Sequence, residues 1–226
     1  MFDAITQLVA RSKSLRIVDE GRLRRLSRVD AVVLVGATCA GKSTLAAAIR
    51  GAAWGPKGRV DVPSRCLTRP RRQNESPGEN VHLSADEFEQ SLARGEVGLH
   101  WARKMEGGRE ERYGFRPVPK GMLAVYSGNN ALYSNQGSVQ PQGALRHALF
   151  VGVHAPDEIR EARLRARSPD LWAHHPAEVA HRLADRSDNM LKHVHLVVAN
   201  HGTFEGVAPE EAVALVKVVE AALAIE

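Results

Sequence analysis

A chain of 226 residues with 43% apolar side chains can bury a sizeable core in one domain carrying insertions, which excludes a wholly disordered protein. Only Cys39 and Cys66 are available for pairing, and no run approaches the ~18 apolar residues of a membrane span; a disulfide scaffold and a membrane protein are excluded, and the expected home is the cytoplasm. The formal charge of +5 and a pI near 9.5 leave two kinds of partner, nucleic acid or heavily phosphorylated small molecules.

Residues 1–30 form a basic N-terminal extension with seven Lys or Arg against four acids, and its composition predicts a solvated leading helix. The apolar run Ala31-Val32-Val33-Leu34-Val35 then predicts a buried strand, and Thr44 to Ile49 a helix. Between them Gly36-Ala37-Thr38-Cys39-Ala40-Gly41-Lys42-Ser43 matches G-x-x-x-x-G-K-[ST], the phosphate-binding P-loop in its strand-to-helix context. Glycines let the backbone wrap an anion, so that main-chain N–H groups and the helix N-terminus face the phosphates. Gly36 through Thr44 are therefore the expected ATP-binding residues, with Lys42 reaching the β- and γ-phosphates and the Ser43 hydroxyl on Mg2+. Cys39 reads either as a small filler or as a thiol activated by the helix N-terminus.

Further along, Arg59 to Val62 reads as a short second strand, and residues 64–80 are basic and polar. Ser84-Ala85-Asp86-Glu87 is a capping box that predicts a helix through Phe88 and Leu92. Arg103 to Arg112 reads as a solvated loop. Leu123 to Tyr126, Ala148 to Val153 and Val194 to Ala199 add three more buried strands, and a helical pattern closes the chain. Five strands alternating with helices predict an α/β fold, a five-stranded parallel sheet with helices on both faces and the ligand at the strands' carboxyl ends. Asp157 is expected to cap the helix that follows the fourth strand.

Phosphoryl transfer needs further cations to hold an acceptor and to neutralise moving charge. Two arginine-rich stretches are placed to supply them: Ser64 to Arg72, containing Arg69 and Arg71, and Arg163 to Arg186, where Arg163 and Arg167 share one helix face and Arg182 and Arg186 another. Solvated helix faces are the competing reading for the second stretch.

With the P-loop, Leu67-Thr68-Arg69-Pro70, Gly78-Glu79-Asn80 leading into Leu83 to Phe88, Leu99-His100-Trp101 and Tyr113-Gly114 in this order, the chain resembles the guanylate-kinase-like P-loop kinases over residues 31–225, most closely the ribose 1,5-bisphosphate phosphokinases. The resemblance implies a P-loop kinase domain over 31–226, with an acceptor-binding insertion at 64–118 and a lid at 163–186. It further implies that Arg69 grips the acceptor phosphate, with Arg71, His100, Tyr113 and Asn129 around the acceptor. Arg167 and Arg182 would approach the ATP phosphates, and Asn200 would lie beside the adenine.

Departures from the pattern narrow the expectation. Where guanylate kinases place carboxylates that read guanine, this chain holds His100 and Ser127-Gly128-Asn129-Asn130, so a guanine reader is disfavoured. The resulting expectation is a Mg-ATP-dependent kinase acting on a phosphorylated small molecule, with ribose 1,5-bisphosphate giving 5-phosphoribosyl diphosphate as the named candidate. A nucleotide kinase with altered base recognition and a non-catalytic binding module are the alternatives. Lys42 and Ser43 argue against the module, nucleic acid is a disfavoured partner, and the sequence carries no signal of oligomeric state.

Overall fold

In the computed structural model, which describes residues 1–52, 59–71, 75, 78–104, 108, 110–128, 132, 139–141, 143–184, 191–202 and 209–223, the five apolar runs become strands of one sheet. The chain opens with α1 (Phe2–Arg11), β1 (Leu15–Ile17), α2 (Glu20–Arg25), β2 (Ala31–Val35), α3 (Lys42–Gly51) and β3 (Val60–Asp61). An inserted segment follows: β4 (Arg65–Leu67), β5 (Asn80–His82), α4 (Ala85–Ala93), β6 (His100–Lys104) and β7 (Glu110–Phe115). The chain then returns through β8 (Leu123–Ser127), β9 (Ala148–His154), α5 (Asp157–Arg167), α6 (Pro169–His174), α7 (Pro176–Ala184), β10 (Leu196–Ala199) and α8 (Pro209–Leu223).

The main sheet runs β1-β10-β9-β2-β8-β3. Strands β3, β8, β2, β9 and β10 are parallel to their neighbours, while β1 is antiparallel to β10, with Leu15 opposite Val198 and Ile17 opposite Leu196. The expected five-stranded parallel sheet is thus a six-stranded mixed one. Its extra strand comes from the N-terminal extension, which is no solvated appendage: Ile5 and Leu23 have no exposed surface and Leu15 is buried in the main core. Ser14 and Arg16 flank Leu15 and Lys13 precedes them, so the alternation of Leu15 and Ile17 is too short to stand out against the basic composition.

Strand β2 lies between β8 and β9, where the order of the parallel strands reverses, and this puts the residues after Val35 at the sheet's switch point. All five β2 residues are buried because both faces are covered, which is why the sequence shows a continuous apolar run instead of alternation. Val32 and Leu34 face one core with Leu45 and Ile49 of α3 and Leu215 and Val219 of α8. Truncating any of these large side chains to Ala would cost about 2–5 kcal/mol.

Ala31, Val33 and Val35 face a second core, where a small sheet joins helical residues in covering the main sheet. This side is covered by the four-stranded sheet β5-β4-β7-β6, through Leu67, Trp101, Tyr113 and Phe115, together with Leu132, Leu145, Leu191 and Val194. Trp101 stacks on Tyr113 with centroids 5.6 Å apart, and Phe115 meets Tyr126 at 4.8 Å. The outer face of the small sheet, bearing Cys66, is closed by Phe88 of α4. That helix starts at the predicted capping box: the Glu87 N–H donates to Ser84 Oγ (3.2 Å) and the Ser84 N–H to Glu87 Oε2 (2.7 Å). Arg103, Lys104 and Glu110 to Arg112 pair within the β6–β7 hairpin, with Arg103 opposite Glu111, where a solvated loop was expected.

Candidate active site

Residues 36–41 leave β2 and turn into α3 with three positive φ values, at Gly36, Cys39 and Gly41. Glycine is required at both ends. A Cβ on Gly36 would lie 2.3 Å from the Val153 carbonyl oxygen, and one on Gly41 would lie 2.1 Å from Asn200 Nδ2. Cys39 adopts the left-handed conformation (φ 63°) despite its side chain, at a cost of roughly 1–2 kcal/mol.

Side chains hold this strained loop through its carbonyl groups. Lys42 Nζ donates to the carbonyls of Gly36 (2.8 Å) and Ala37 (2.7 Å). Arg160 Nε donates to Thr38 O (3.0 Å), Arg163 Nη1 to Cys39 O (3.1 Å) and Asn200 Nδ2 to Ala40 O (2.8 Å). Every carbonyl from Gly36 to Ala40 therefore accepts a side-chain hydrogen bond. What the loop keeps to offer an anion is its main-chain N–H groups and the N-terminus of α3.

The same bonds place three of the residues singled out in the sequence. Asn200 is fully buried and spends its amide on Ala40 O, on Arg163 Nη2 (3.1 Å) and on the Gly202 N–H (3.2 Å), so it braces the loop from behind. Arg163, the first residue of the expected lid, is anchored on the P-loop. Asp157 is the first residue of α5 and not its cap; its carboxylate takes Arg160 Nη1 (2.8 Å). Arg160 also reaches the Arg182 and Leu183 carbonyls (3.4 and 3.3 Å), tying the end of α7 to the loop. The sequence reading passed over Arg160 although Arg160, Arg163 and Arg167 recur at i, i+3 and i+7 along one helix face. Arg167 is half-buried in the last turn of α5, and the Arg182 guanidinium pairs with Glu178 one turn earlier in α7.

On its other side the P-loop meets the small sheet. Ser43 Oγ donates to Glu79 Oε1 (2.6 Å), and the same oxygen takes Arg65 Nη2 at 3.3 Å. Arg65 Nε donates to Asn80 Oδ1 (2.9 Å), and burial pulls the Arg65 guanidinium below its usual value, opposed by Glu79. Strand register places Arg65, Asn80, His82, Glu111 and Tyr113 on one face of this sheet with Trp101. This inner face is the one that turns toward β2.

Arg69, just past β4, is nearly buried and forms an ion pair with Glu75, whose other oxygen faces His82 Nε2 at 2.5 Å; His82 Nδ1 lies 3.0 Å from the Arg69 carbonyl. Burial acts to raise the Glu75 carboxyl, but the bonds from Arg69 and His82 outweigh it and hold the group below the ordinary carboxylate range. Tyr113 donates to Glu111 Oε2 (2.5 Å), and burial together with that carboxylate pushes the phenol up to about 12. Arg69 and Arg103 oppose this shift, which sets Tyr113 within electrostatic reach of Arg69.

Two of the residues expected around the acceptor lie away from this inner face. His100 pairs with Gly114 on the opposite face of the strand from Trp101 and Tyr113, its Nδ1 3.0 Å from the Gly98 carbonyl. Arg71 is exposed beyond Arg69, and Asn129 lies outside the described residues. The sequence reading missed Arg65, Glu75, Glu79 and Glu111. For Arg65 and Glu111 a signal existed, since each sits two residues from an apolar or aromatic inner-face residue, Leu67 or Tyr113. Glu75 and Glu79 lie in loops, where no periodicity marks a direction.

No protein-family model matches the chain, and no curated protein matches it in sequence. Among solved structures, the guanylate kinase of Anaplasma phagocytophilum is similar at 16% identity over 85% of this chain and 87% of that one, with a TM-score of 0.47.

Proposed function

We propose that the chain is an ATP-dependent phosphotransferase whose acceptor is a small molecule already carrying a phosphate. The observation that carries this reading is the P-loop whose carbonyls, from Gly36 to Ala40, are all drawn to side chains. A glycine-rich turn with a merely structural role has no need of two arginine contacts, a buried asparagine and a lysine folded back on it. In this reading Lys42 exchanges its two carbonyl partners for the β- and γ-phosphates, and the Ser43 hydroxyl is the protein's oxygen for magnesium, a hard donor suited to that ion. Magnesium supplies charge neutralisation at the phosphate oxygens.

On the acceptor side Arg69 and Tyr113 bind the phosphate already present, Arg69 trading Glu75 for phosphate oxygens in a fork-shaped contact. Arg167 and Arg182 approach the transferring group, Arg182 by leaving Glu178. An acceptor phosphate oxygen attacks the γ-phosphorus in line, the bond to the β-phosphate oxygen breaks, and ADP leaves. With ribose 1,5-bisphosphate, the acceptor that the sequence resemblance implies, the product is 5-phosphoribosyl diphosphate. A nucleoside monophosphate is the second reading, favoured by Glu111: the inner face carries a buried carboxylate beside two stacked rings, a combination able to accept N–H groups from a base.

ADP release from Mg-ATP, measured across ribose 1,5-bisphosphate, other sugar phosphates and nucleoside monophosphates, tests the proposal. Turnover is expected with a phosphorylated acceptor and its loss in Lys42→Met. Absence of turnover with every acceptor, together with absent ATP binding, would overturn it.

A further inference from the structure

Glu79 sits in an electrostatically costly place. Its carboxylate accepts the Ser43 hydroxyl hydrogen bond at 2.6 Å, at the first turn of α3 beside Lys42. If a triphosphate enters the P-loop, this fixed negative charge lies at the edge of a polyanion, and like charges at short range disfavour binding. Arg65 offsets part of the cost, but at 3.3 Å it shares its guanidinium between Glu79 and Asn80. A carboxylate at this position becomes favourable when a divalent cation stands between it and the phosphates. Its oxygen chemistry matches the cation in question: one carboxylate and one hydroxyl, both hard donors, within hydrogen-bond distance of each other.

We infer that Glu79 is the carboxylate of the magnesium site, acting with Ser43 and exchanging Arg65 for the cation or its water when nucleotide binds. The inference rests on the ATP-binding reading above and adds a residue to it. It also gives the small sheet a stake in the donor site: Glu79 precedes β5, so the cation would be held jointly by the P-loop and by the segment bearing Arg65 and Arg69. Glu79 is a positioning residue for the phosphates, not a group that touches the reacting atoms.

The test is ADP binding by calorimetry, with and without Mg2+, together with the Mn2+ electron paramagnetic resonance spectrum of the ADP complex. The proteins are wild type, Glu79→Gln and Arg65→Met, each checked for an intact melting transition. In Glu79→Gln metal-free ADP should bind more tightly, the enhancement by Mg2+ should fall about tenfold, and the Mn2+ spectrum should change. Arg65→Met removes the same ion pair but keeps the carboxylate, so it should retain or increase the enhancement. Full enhancement in Glu79→Gln, or equal losses in both variants, would overturn the inference while leaving nucleotide binding in place. Failure of the wild type to bind ADP at all would instead sink the ATP reading on which it stands.

Discussion

The P-loop and the inner face of the small sheet both concentrate charge, and they satisfy it differently. Around the P-loop, cations and an amide are spent on main-chain carbonyls: Arg160 on Thr38, Arg163 on Cys39, Asn200 on Ala40. On the small sheet, charges pair with one another, Arg69 with Glu75 and Arg65 with Glu79, while the neutral Tyr113 hydroxyl donates to Glu111. Bonds to the backbone fix the loop's shape in advance, and Arg160 is paired with Asp157 as well. Pairs between side chains neutralise each other, and a ligand must break them before it gains their attraction. Under the proposed function, the contrast means a donor site that is ready and an acceptor site that must change partners.

The largest effect that would sharpen this contrast is expected from Lys42→Met, which should lower kcat by on the order of a thousandfold in the acceptor assay. It removes two carbonyl bonds, so the unfolding free energy should drop by about 1–3 kcal/mol. A large loss of stability with a modest loss of rate would reverse the roles assigned to Lys42. Next comes Asn200→Ala, which strands Ala40 O and one Arg163 contact in the interior. Denaturant titration should show a loss of about 2–3 kcal/mol, and ATP affinity should fall with it. Unchanged ATP affinity would mean that the loop keeps its shape without the brace. On the opposite wall, Tyr113→Phe should raise the acceptor KM by about tenfold and leave the ATP KM unchanged, as a loss of uniform binding to one substrate. Equal rises in both constants would erase the distinction between the two walls.

How much of this was legible beforehand divides along the same line. The P-loop could be read because its function constrains residue identity at fixed spacing, and β2 because a strand covered on both faces is continuously apolar. The capping box of α4 was legible because it is a local hydrogen-bond pattern. Strand β1 was not: three residues in a basic segment gain their strand character only by pairing with β10, some 180 residues away. The second layer of the site was equally hidden. Asn200 is a buried brace of the P-loop, a direction that depends on how β10 ends against the loop and that no local pattern announces. His100 stood beside a motif tryptophan, and the pleat then turned the two side chains to opposite faces. Ser43 and Glu79 are 36 positions apart, joined only by the way the insertion folds back.

The smallest effect, and the one that probes the side-chain pairs most directly, is the acid dependence of the Arg69–Glu75–His82 cluster. Burial raises the Glu75 carboxyl, but hydrogen bonds from Arg69 and His82 dominate and hold it below its ordinary range. A carboxyl whose folded value is depressed contributes stability that is fully present above its unfolded value, about 4.3, and is lost as pH falls through the folded value. The difference in Tm between wild type and Glu75→Gln should therefore be constant from neutral pH down to about 5 and shrink below about 4. A difference that stays constant or widens toward acid would show that Glu75 is not ionised in the folded protein. Arg69 would then be free to meet a phosphate without first releasing a partner, and the acceptor wall would be as ready as the P-loop.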